Sequence, residues 1–287
     1  MKSVRIILFF LLLPFISLAQ DSQNFDSLNY LLQHSTNDTI KMDIYRNMGF
    51  YLQDDNLDSA LYYHQKQLQF AKKLHLQLYE ADAYQQIGYV KSREGDISGS
   101  LKFYYEALKI AGDPKCAENG WGYSNFSYSK SPEDARLSII GMIHFELSRL
   151  YSISRLYTKE RFHLNEAFKI GEKLQNIKIL TLTARNLGIM FTRNNQLDSA
   201  FKYLQMALMF NQKSPYTKNF GSLYLYIGRY YESQQQYDST KEYFRKSVNE
   251  SILNNQTIGL TDAYFEFGKL YLVTNRLDSA LYYTLKS

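Results

Sequence analysis

Five histidines have the widest chemical range in this chain, because imidazole can bind a metal ion or exchange a proton near neutral pH. A metal site on one helix needs two histidines four residues apart, so that both rings lie on the same face. No two histidines have that spacing; they are His34, His64, His75, His144 and His163. We therefore predict no metal site and interpret His64 as a packing residue.

Two glycine-containing stretches begin like catalytic motifs but do not complete them. Residues 119–122 (Asn-Gly-Trp-Gly) do not continue into a dinucleotide-binding fingerprint. Residues 95–99 (Gly-Asp-Ile-Ser-Gly) are offset by one residue from a nucleophile elbow. The single cysteine, Cys116, has only Lys115 beside it to lower the pKa of its thiol. We expect a non-catalytic protein without a cofactor.

Composition excludes several broad classes of protein. Only 14 glycines and 4 prolines occur in 287 residues, too few for the turns of an all-β sandwich or barrel. An aromatic content of 16% excludes a disordered chain. The 33 basic and 28 acidic residues are nearly balanced, so we expect no nucleic-acid partner.

The N-terminus has the three parts of a secretory leader. Lys2 and Arg5 precede an apolar run over residues 6–16, and a small-x-small site follows. This predicts a signal peptide over residues 1–19, removed before Gln20. The alternative is an uncleaved anchor, although the run is short of the roughly 18 residues that a membrane span needs. We expect no membrane span in the mature chain.

A repeat that recurs every forty positions, with one interval of sixty, is the strongest pattern. Its first column contains mostly small residues: Met48, Gly88, Ser148, Gly188, Gly228 and Gly268. Two more columns follow twelve and nineteen positions later: Ala60, Ser100, Glu160, Ala200, Thr240 and Ala280, then Gln67, Ala107, Ala167, Ala207, Ser247 and Ser287. Small residues at fixed positions let antiparallel helices approach closely, so the repeat predicts helix pairs.

Two further columns indicate how each pair is built. A mostly aromatic column lies three residues after the first, where rings would fill the space beside the helix contact: Tyr51, Lys91, Tyr151, Phe191, Tyr231 and Tyr271. Ten residues after the first column, every residue can cap a helix N-terminus: Asp58, Ser98, Thr158, Asp198, Asp238 and Asp278. We predict a helix, a short polar turn and a capped second helix in each unit.

These columns resemble the tetratricopeptide repeat family over roughly residues 40–287. The resemblance rests on the glycine–alanine–alanine offsets, the aromatic residue after the glycine and the Leu-Asp-Ser-Ala helix starts. The period is 40 instead of the family's 34, so each helix should be longer. The resemblance implies an all-α, right-handed superhelical solenoid of about six helix pairs with a concave groove.

The repeat pattern divides the chain after the leader into four segments. A capping helix is expected over residues 20–39, repeats 1 and 2 over 40–111, and repeats 3–6 over 132–287. An aromatic and glycine-containing insertion over residues 112–131 lies between them. It is interpreted either as a partner-contacting flap or as a loop packed on the repeats. The sixth repeat is incomplete at Ser287, so we expect a longer natural chain.

The resemblance also implies which residues line the groove: those three before, one after and five after the first column. In the first repeat these are Tyr45, Gly49 and Gln53. The eighteen positions contain six basic residues and no acidic one. Our candidate partner-binding residues are Arg93, Arg149, Arg185, Arg193, Arg229, Lys269, Tyr89, Phe145 and Phe265. They predict a protein or peptide partner that is acidic or carries a carboxylate; the alternative is an ordinary solvated surface.

Our leading hypothesis is an exported, periplasmic scaffold that binds a protein or peptide in its groove. The alternative resemblance is to the periplasmic sensory portion of a bacterial membrane-bound sensor histidine kinase or transcription regulator. Any kinase activity would then belong to a C-terminal part beyond this sequence, since no output motif is present. A small-molecule receptor that uses Trp121 is a third hypothesis.

Overall fold

The computed structural model describes residues 25–126, 129–213, 220–254 and 256–287. The predicted signal peptide and Tyr128 of the insertion lie outside these residues. Regular structure in the described ranges is entirely helical. The helices are α1 (25–34), α2 (Asp38–Leu52), α3 (Leu57–Lys73), α4 (Gln77–Arg93), α5 (Ile97–Gly112), α6 (Pro132–Ile153), α7 (Tyr157–Leu174), α8 (Ile177–Arg193), α9 (Leu197–Lys213), α10 (Phe220–Ser233), α11 (Tyr237–Leu253), α12 (Thr257–Val273) and α13 (Leu277–Lys286).

Twelve of these helices form six antiparallel pairs, which confirms the predicted all-α fold. The pairs are α2–α3, α4–α5, α6–α7, α8–α9, α10–α11 and α12–α13. Helices of 17 residues joined by three-residue turns, as in α8–α9, account for the long period. The chain divides into two compact units between Ile143 and His144, inside α6. Two short 3₁₀ turns, Pro114–Ala117 and Tyr123–Asn125, lie between α5 and α6.

The glycines of the first column lie where two helices of a pair touch. A Cβ atom on Gly188 would come within 2.6 Å of the Leu204 side chain, and one on Gly228 within 2.5 Å of the Phe244 ring. Such distances leave no room for a side chain. The other two columns are buried, apart from the exposed Ser287. The repeat columns are therefore packing positions, as predicted.

The first pair has a different register from the one we predicted. Gly49, rather than Met48, faces the ring of its partner helix, and that ring belongs to His64. In the second pair Gly88 faces Tyr104, so the two contacting residues are one position further apart in sequence there. Gly49 lies eight positions before the first residue of α3, whereas Gly88 lies nine positions before that of α5. The α2–α3 connection also lacks the left-handed residue that the other intrapair turns contain at Gly95, Arg155, Asn195, Gln235 and Asn275.

Ring stacking gives the same register. Tyr45 stacks on Tyr63 with centroids 6.2 Å apart, as Tyr84 stacks on Phe103 at 6.1 Å. Tyr45 therefore lies four residues before the small column and faces its own pair. Counting from Gly49, the three first-repeat positions assigned to the groove change from Tyr45, Gly49 and Gln53 to Arg46, Phe50 and Asp54.

The predicted helix caps are wrong by two residues. Asn56 and Asp96 cap α3 and α5, with side-chain oxygens that accept bonds from the backbone N–H groups of Ser59 (3.0 Å) and Gly99 (2.8 Å). Asp58 lies in the first turn of α3, where its charge favours the positive end of the helix dipole. The Leu-Asp-Ser-Ala motif is thus inside the helix. The residue before it caps α3 through the side chain of Asn56, whereas Arg276 makes no such bond to α13.

The aromatic column fills the space inside four of the six pairs, as predicted. In these pairs its ring lies against a ring of the second helix with near-parallel planes: Tyr151–His163 (5.3 Å), Phe191–Tyr203 (5.4 Å), Tyr231–Tyr243 (5.3 Å) and Tyr271–Tyr283 (5.4 Å). Tyr51 of the first pair instead lies 5.4 Å from Phe25 of α1. Offset stacking adds to the free energy gained by burying the rings. In these four pairs the contact holds the first helix against the second.

Candidate functional site

The candidate residues all lie on the first helices of their pairs. We define the first-helix face as the surface that α2 and α4 form in one unit and that α6, α8, α10 and α12 form in the other. Phe145 is only 3% exposed, so an open partner-binding role is wrong for it. Residues three positions before the first column point between neighbouring helices, and an apolar ring is buried there. Phe265 in the same column is 52% exposed.

Carboxylates beside the predicted cations change the expected charge of this face. Arg149 forms an ion pair with Glu146 (2.7 Å), and Arg229 and Lys269 share Glu266 (2.7 and 2.8 Å). Both glutamates are buried two residues before the small column, a position that we did not assign to the groove. Burial raises the pKa of Glu146, and Arg149 opposes that shift. The expectation of an acid-free face is therefore wrong.

Arg93 and Arg193 also have acidic partners. Arg93 contacts Asp54 at 2.9 Å and the Tyr89 hydroxyl at 3.0 Å. Arg193 pairs with the buried Glu160 of α7, one of the predicted packing positions. A guanidinium already bound to a carboxylate gains less from a second anion than a free one does.

Arg185 on α8 differs from the other five cations. Its Nη1 donates to Ser222 Oγ at 3.4 Å, and its Nε to Asn186 Oδ1 at 3.3 Å. Among the described residues, no carboxylate forms an ion pair with it. Burial lowers the pKa of Arg185; Tyr226 and the Glu146 carboxylate oppose that effect, and the nearby Arg149 adds to it. Arginine stays charged in proteins, so this face contains one partly buried cation without a direct counter-ion.

The insertion packs on the first-helix face formed by α2 and α4. Asn125 donates through Nδ2 to Tyr79 Oη (2.8 Å) and to Asp43 Oδ1 (3.1 Å). Its backbone carbonyl accepts from Arg46 Nη1 at 3.4 Å. Phe126 is buried, with its ring 4.9 Å from the Arg46 guanidinium. The segment from Trp121 to Phe126, which we call the resident segment, therefore covers part of this face.

Two groups with catalytic potential, His64 and Cys116, are buried. His64 is a packing residue whose Nδ1 contacts Gln67 Oε1 at 3.2 Å, and burial lowers the pKa of His64 to about 4. Burial also raises the pKa of Cys116 to about 11, so its thiol stays protonated. An inaccessible thiol is a poor nucleophile.

A histidine pair was missed because its members lie on different helices. His144 of α6 and His163 of α7 approach with their Nδ1 atoms 2.8 Å apart. Residues so far apart in sequence give no signal in a search for two imidazoles on one helix face. In the parts of the chain described above, no three His, Cys, Asp or Glu side chains are grouped to hold a metal ion.

No helix in the described ranges is both long enough and apolar enough to cross a bilayer.

A family model for the tetratricopeptide repeat matches residues 81–114. No curated protein sequence matches the chain significantly.

Solved structures with the same fold cover most of the chain. BtubC from P. vanneervenii aligns with a TM-score of 0.56 and 17% identity, over 83% of this chain and 91% of that one. Aspartyl phosphate phosphatase F from Bacillus subtilis aligns with a TM-score of 0.64 and 12% identity, over 93% of this chain and 67% of that one. A Rap protein complexed with Competence and Sporulation Factor aligns with a TM-score of 0.62 and 13% identity, over 91% of this chain and 77% of that one. The chain contains a tetratricopeptide repeat and has the all-α fold of tetratricopeptide-repeat proteins.

Proposed function

We propose that this chain is an exported, non-catalytic scaffold that binds a protein or peptide on the first-helix face of α6, α8, α10 and α12. Arg185 is the observation that carries this proposal. A partly buried guanidinium without a carboxylate beside it gains more from an incoming anion than a paired surface cation does. One similar structure has Competence and Sporulation Factor bound to the same fold, which supports a binding role.

The partner in this proposal carries a small number of carboxylates instead of a long acidic tract. Glu146 and Glu266 already neutralise part of the charge of Arg149, Arg229 and Lys269. An acidic tract would therefore meet buried negative charge on both sides of Arg185. One carboxylate at the centre of the face fits this arrangement.

Photo-crosslinking tests the location of binding. A photoreactive phenylalanine replaces Ile153, 67% exposed at the end of α6, in one variant and Phe162, 56% exposed on α7, in the other. After incubation with bacterial envelope extract, we expect a defined crosslinked partner from the Ile153 variant alone. Equal crosslinking of the same partner by both variants, or by neither, would reject this face as the binding surface.

A second proposal is that the chain is the sensory portion of a membrane-bound histidine kinase or transcription regulator. The predicted leader followed by helical repeats supports an exported sensor. Sequencing the gene downstream of codon 287 tests it: an apolar span followed by an output domain would support this proposal. A stop codon immediately after Ser287 would exclude it.

A further inference from the structure

Arg46 and Arg185 occupy equivalent positions in two different repeats. Each lies three residues before its small residue, Gly49 or Gly188, once the register of the first pair is counted from Gly49. Each reaches the first helix of the next pair, at the position six before that helix's small residue. That position holds Asp82 for Arg46 and Ser222 for Arg185. The repeat thus provides two versions of one arginine site.

The two versions differ in one charge. Arg46 Nε is 2.8 Å from Asp82 Oδ2, and the same oxygen accepts from Gln67 Nε2 at 2.8 Å. Arg185 has only the neutral hydroxyl of Ser222 at 3.4 Å in the equivalent place. The site at Arg46 is therefore electrically complete within the fold. Within the residues that the structure describes, the site at Arg185 has no carboxylate in that place.

The resident segment of the chain itself occupies the Arg46 site. The guanidinium carbon of Arg46 lies 4.8 Å from the ring centroid of Phe50 and 4.9 Å from that of Phe126, and Nη1 donates to the carbonyl of Asn125. Phe126 and Asn125 are adjacent in the segment, so one short stretch supplies both the acceptor oxygen and the ring. Arginine favours this combination because its planar group can stack and donate hydrogen bonds at the same time.

Around Arg185, half of that arrangement is present. Tyr226 lies on one side, with its ring centroid 5.9 Å from the guanidinium carbon. Ile189 takes the sequence position equivalent to Phe50, so α8 supplies no second ring there. Asn186 and Ser222 supply neutral oxygens only.

We infer that Arg185 binds a carboxylate of a partner peptide in which an aromatic residue is adjacent to the acidic group. The carboxylate takes the part that Asp82 has beside Arg46, and the ring takes the part of Phe126. This inference rests on the proposed function and narrows its partner class. The acid can be a side chain or a chain terminus, since both present the same planar pair of oxygens.

Blocked hexapeptides based on the sequence of the resident segment serve as probes. The first is acetyl-Trp-Gly-Tyr-Ser-Asp-Phe-amide, with a side-chain carboxylate. The second has Asn in place of Asp and no charge. The third keeps Asn but ends in a free carboxylate. Calorimetric titration of each into the full chain measures its affinity. We expect the two charged peptides, or one of them, to bind at least about tenfold more tightly than the neutral peptide.

Two variants at one position isolate the missing charge. Ser222→Asp installs the carboxylate that Asp82 supplies in the other repeat, while Ser222→Asn is a neutral control of the same size. We expect Ser222→Asp to weaken binding of the charged peptides about tenfold or more, and Ser222→Asn to change it less than threefold. Circular dichroism checks that both variants retain the helical fold.

Each outcome separates the inference from the proposed function. Equal binding of charged peptides to wild type and Ser222→Asp would overturn the inference, while crosslinking through Ile153 would still support a binding scaffold. Equal affinity for charged and neutral peptides, or no binding of any peptide, would overturn it as well. The tighter of the two charged peptides identifies whether the acid is a side chain or a terminus.

Discussion

Replacing Asp82 by alanine removes the carboxylate that neutralises a buried arginine. Arg46 and Asp82 are 8% and 3% exposed, and their closest atoms are 2.8 Å apart. Gln67 loses the same acceptor. Breaking a buried pair from one side leaves an unpaired charge, which costs about 3–5 kcal/mol. The carbonyl of Asn125, which is neutral and 3.4 Å away, and the nearby charge of Asp43 offset only part of this cost.

The chain offers a local probe for this experiment. Trp121 is its single tryptophan and lies 5.4 Å from the ring of Tyr79, within the same unit as Asp82. We expect the free energy of unfolding, measured in urea by tryptophan fluorescence, to fall by about 3–5 kcal/mol in Asp82→Ala. Ser222→Ala is the matched control in the equivalent repeat position, and should leave that free energy unchanged. A shift below about 0.5 kcal/mol in Asp82→Ala would refute the assignment of Arg46 to a buried ion pair.

Three other outcomes follow from packing and burial. Gly228→Leu should destabilise the fold by about 1–3 kcal/mol in urea, because a Cβ meets an aromatic ring at 2.5 Å, whereas Gly112→Ala, with nothing within 4 Å, should not. Burial lowers the pKa values of His144 and His163, that of His163 to about 4. The unfolded chain therefore binds protons at a higher pH than the folded one, and the free energy of unfolding should fall as pH drops from about 6.5 towards 4. A His163→Gln variant with an unchanged pH slope would contradict this. Cys116 should react with a maleimide slowly at pH 8 and rapidly in urea, and equally fast labelling in both would show that its thiol is accessible.

The repeat columns made the helix pairs predictable because packing requires small residues at a fixed period. Gly188 and Gly228 each face a side chain of the partner helix, so the position of the glycine in the first helix indicates the register of its pair. Gly49 carried the same signal in the first pair. We missed it because a strict period of 40 placed Met48 in the column, and the spacing from Gly49 to the start of α3, one residue shorter than in the second pair, breaks that period without changing the fold.

The charge of the first-helix face was harder to predict. Six basic residues were visible at the predicted groove positions. The carboxylates of Glu146 and Glu266 lie outside those positions, two residues before the first column, and their side chains are long enough to contact the basic residues. The exceptional state of Arg185 depends on Ser222 in the next pair. Only the comparison with Arg46 and Asp82 shows that this serine stands where another repeat has a carboxylate.

The most direct test of the account is the affinity of the crosslinked partner for an Arg185→Ala variant. Arg161→Ala removes the same charge from the exposed side of α7 and serves as the control. If the first-helix face binds the partner through Arg185, its substitution should weaken binding by about 1.5–3 kcal/mol, while Arg161→Ala should leave the affinity within about twofold. Equal affinities of the two variants for the partner would contradict the account.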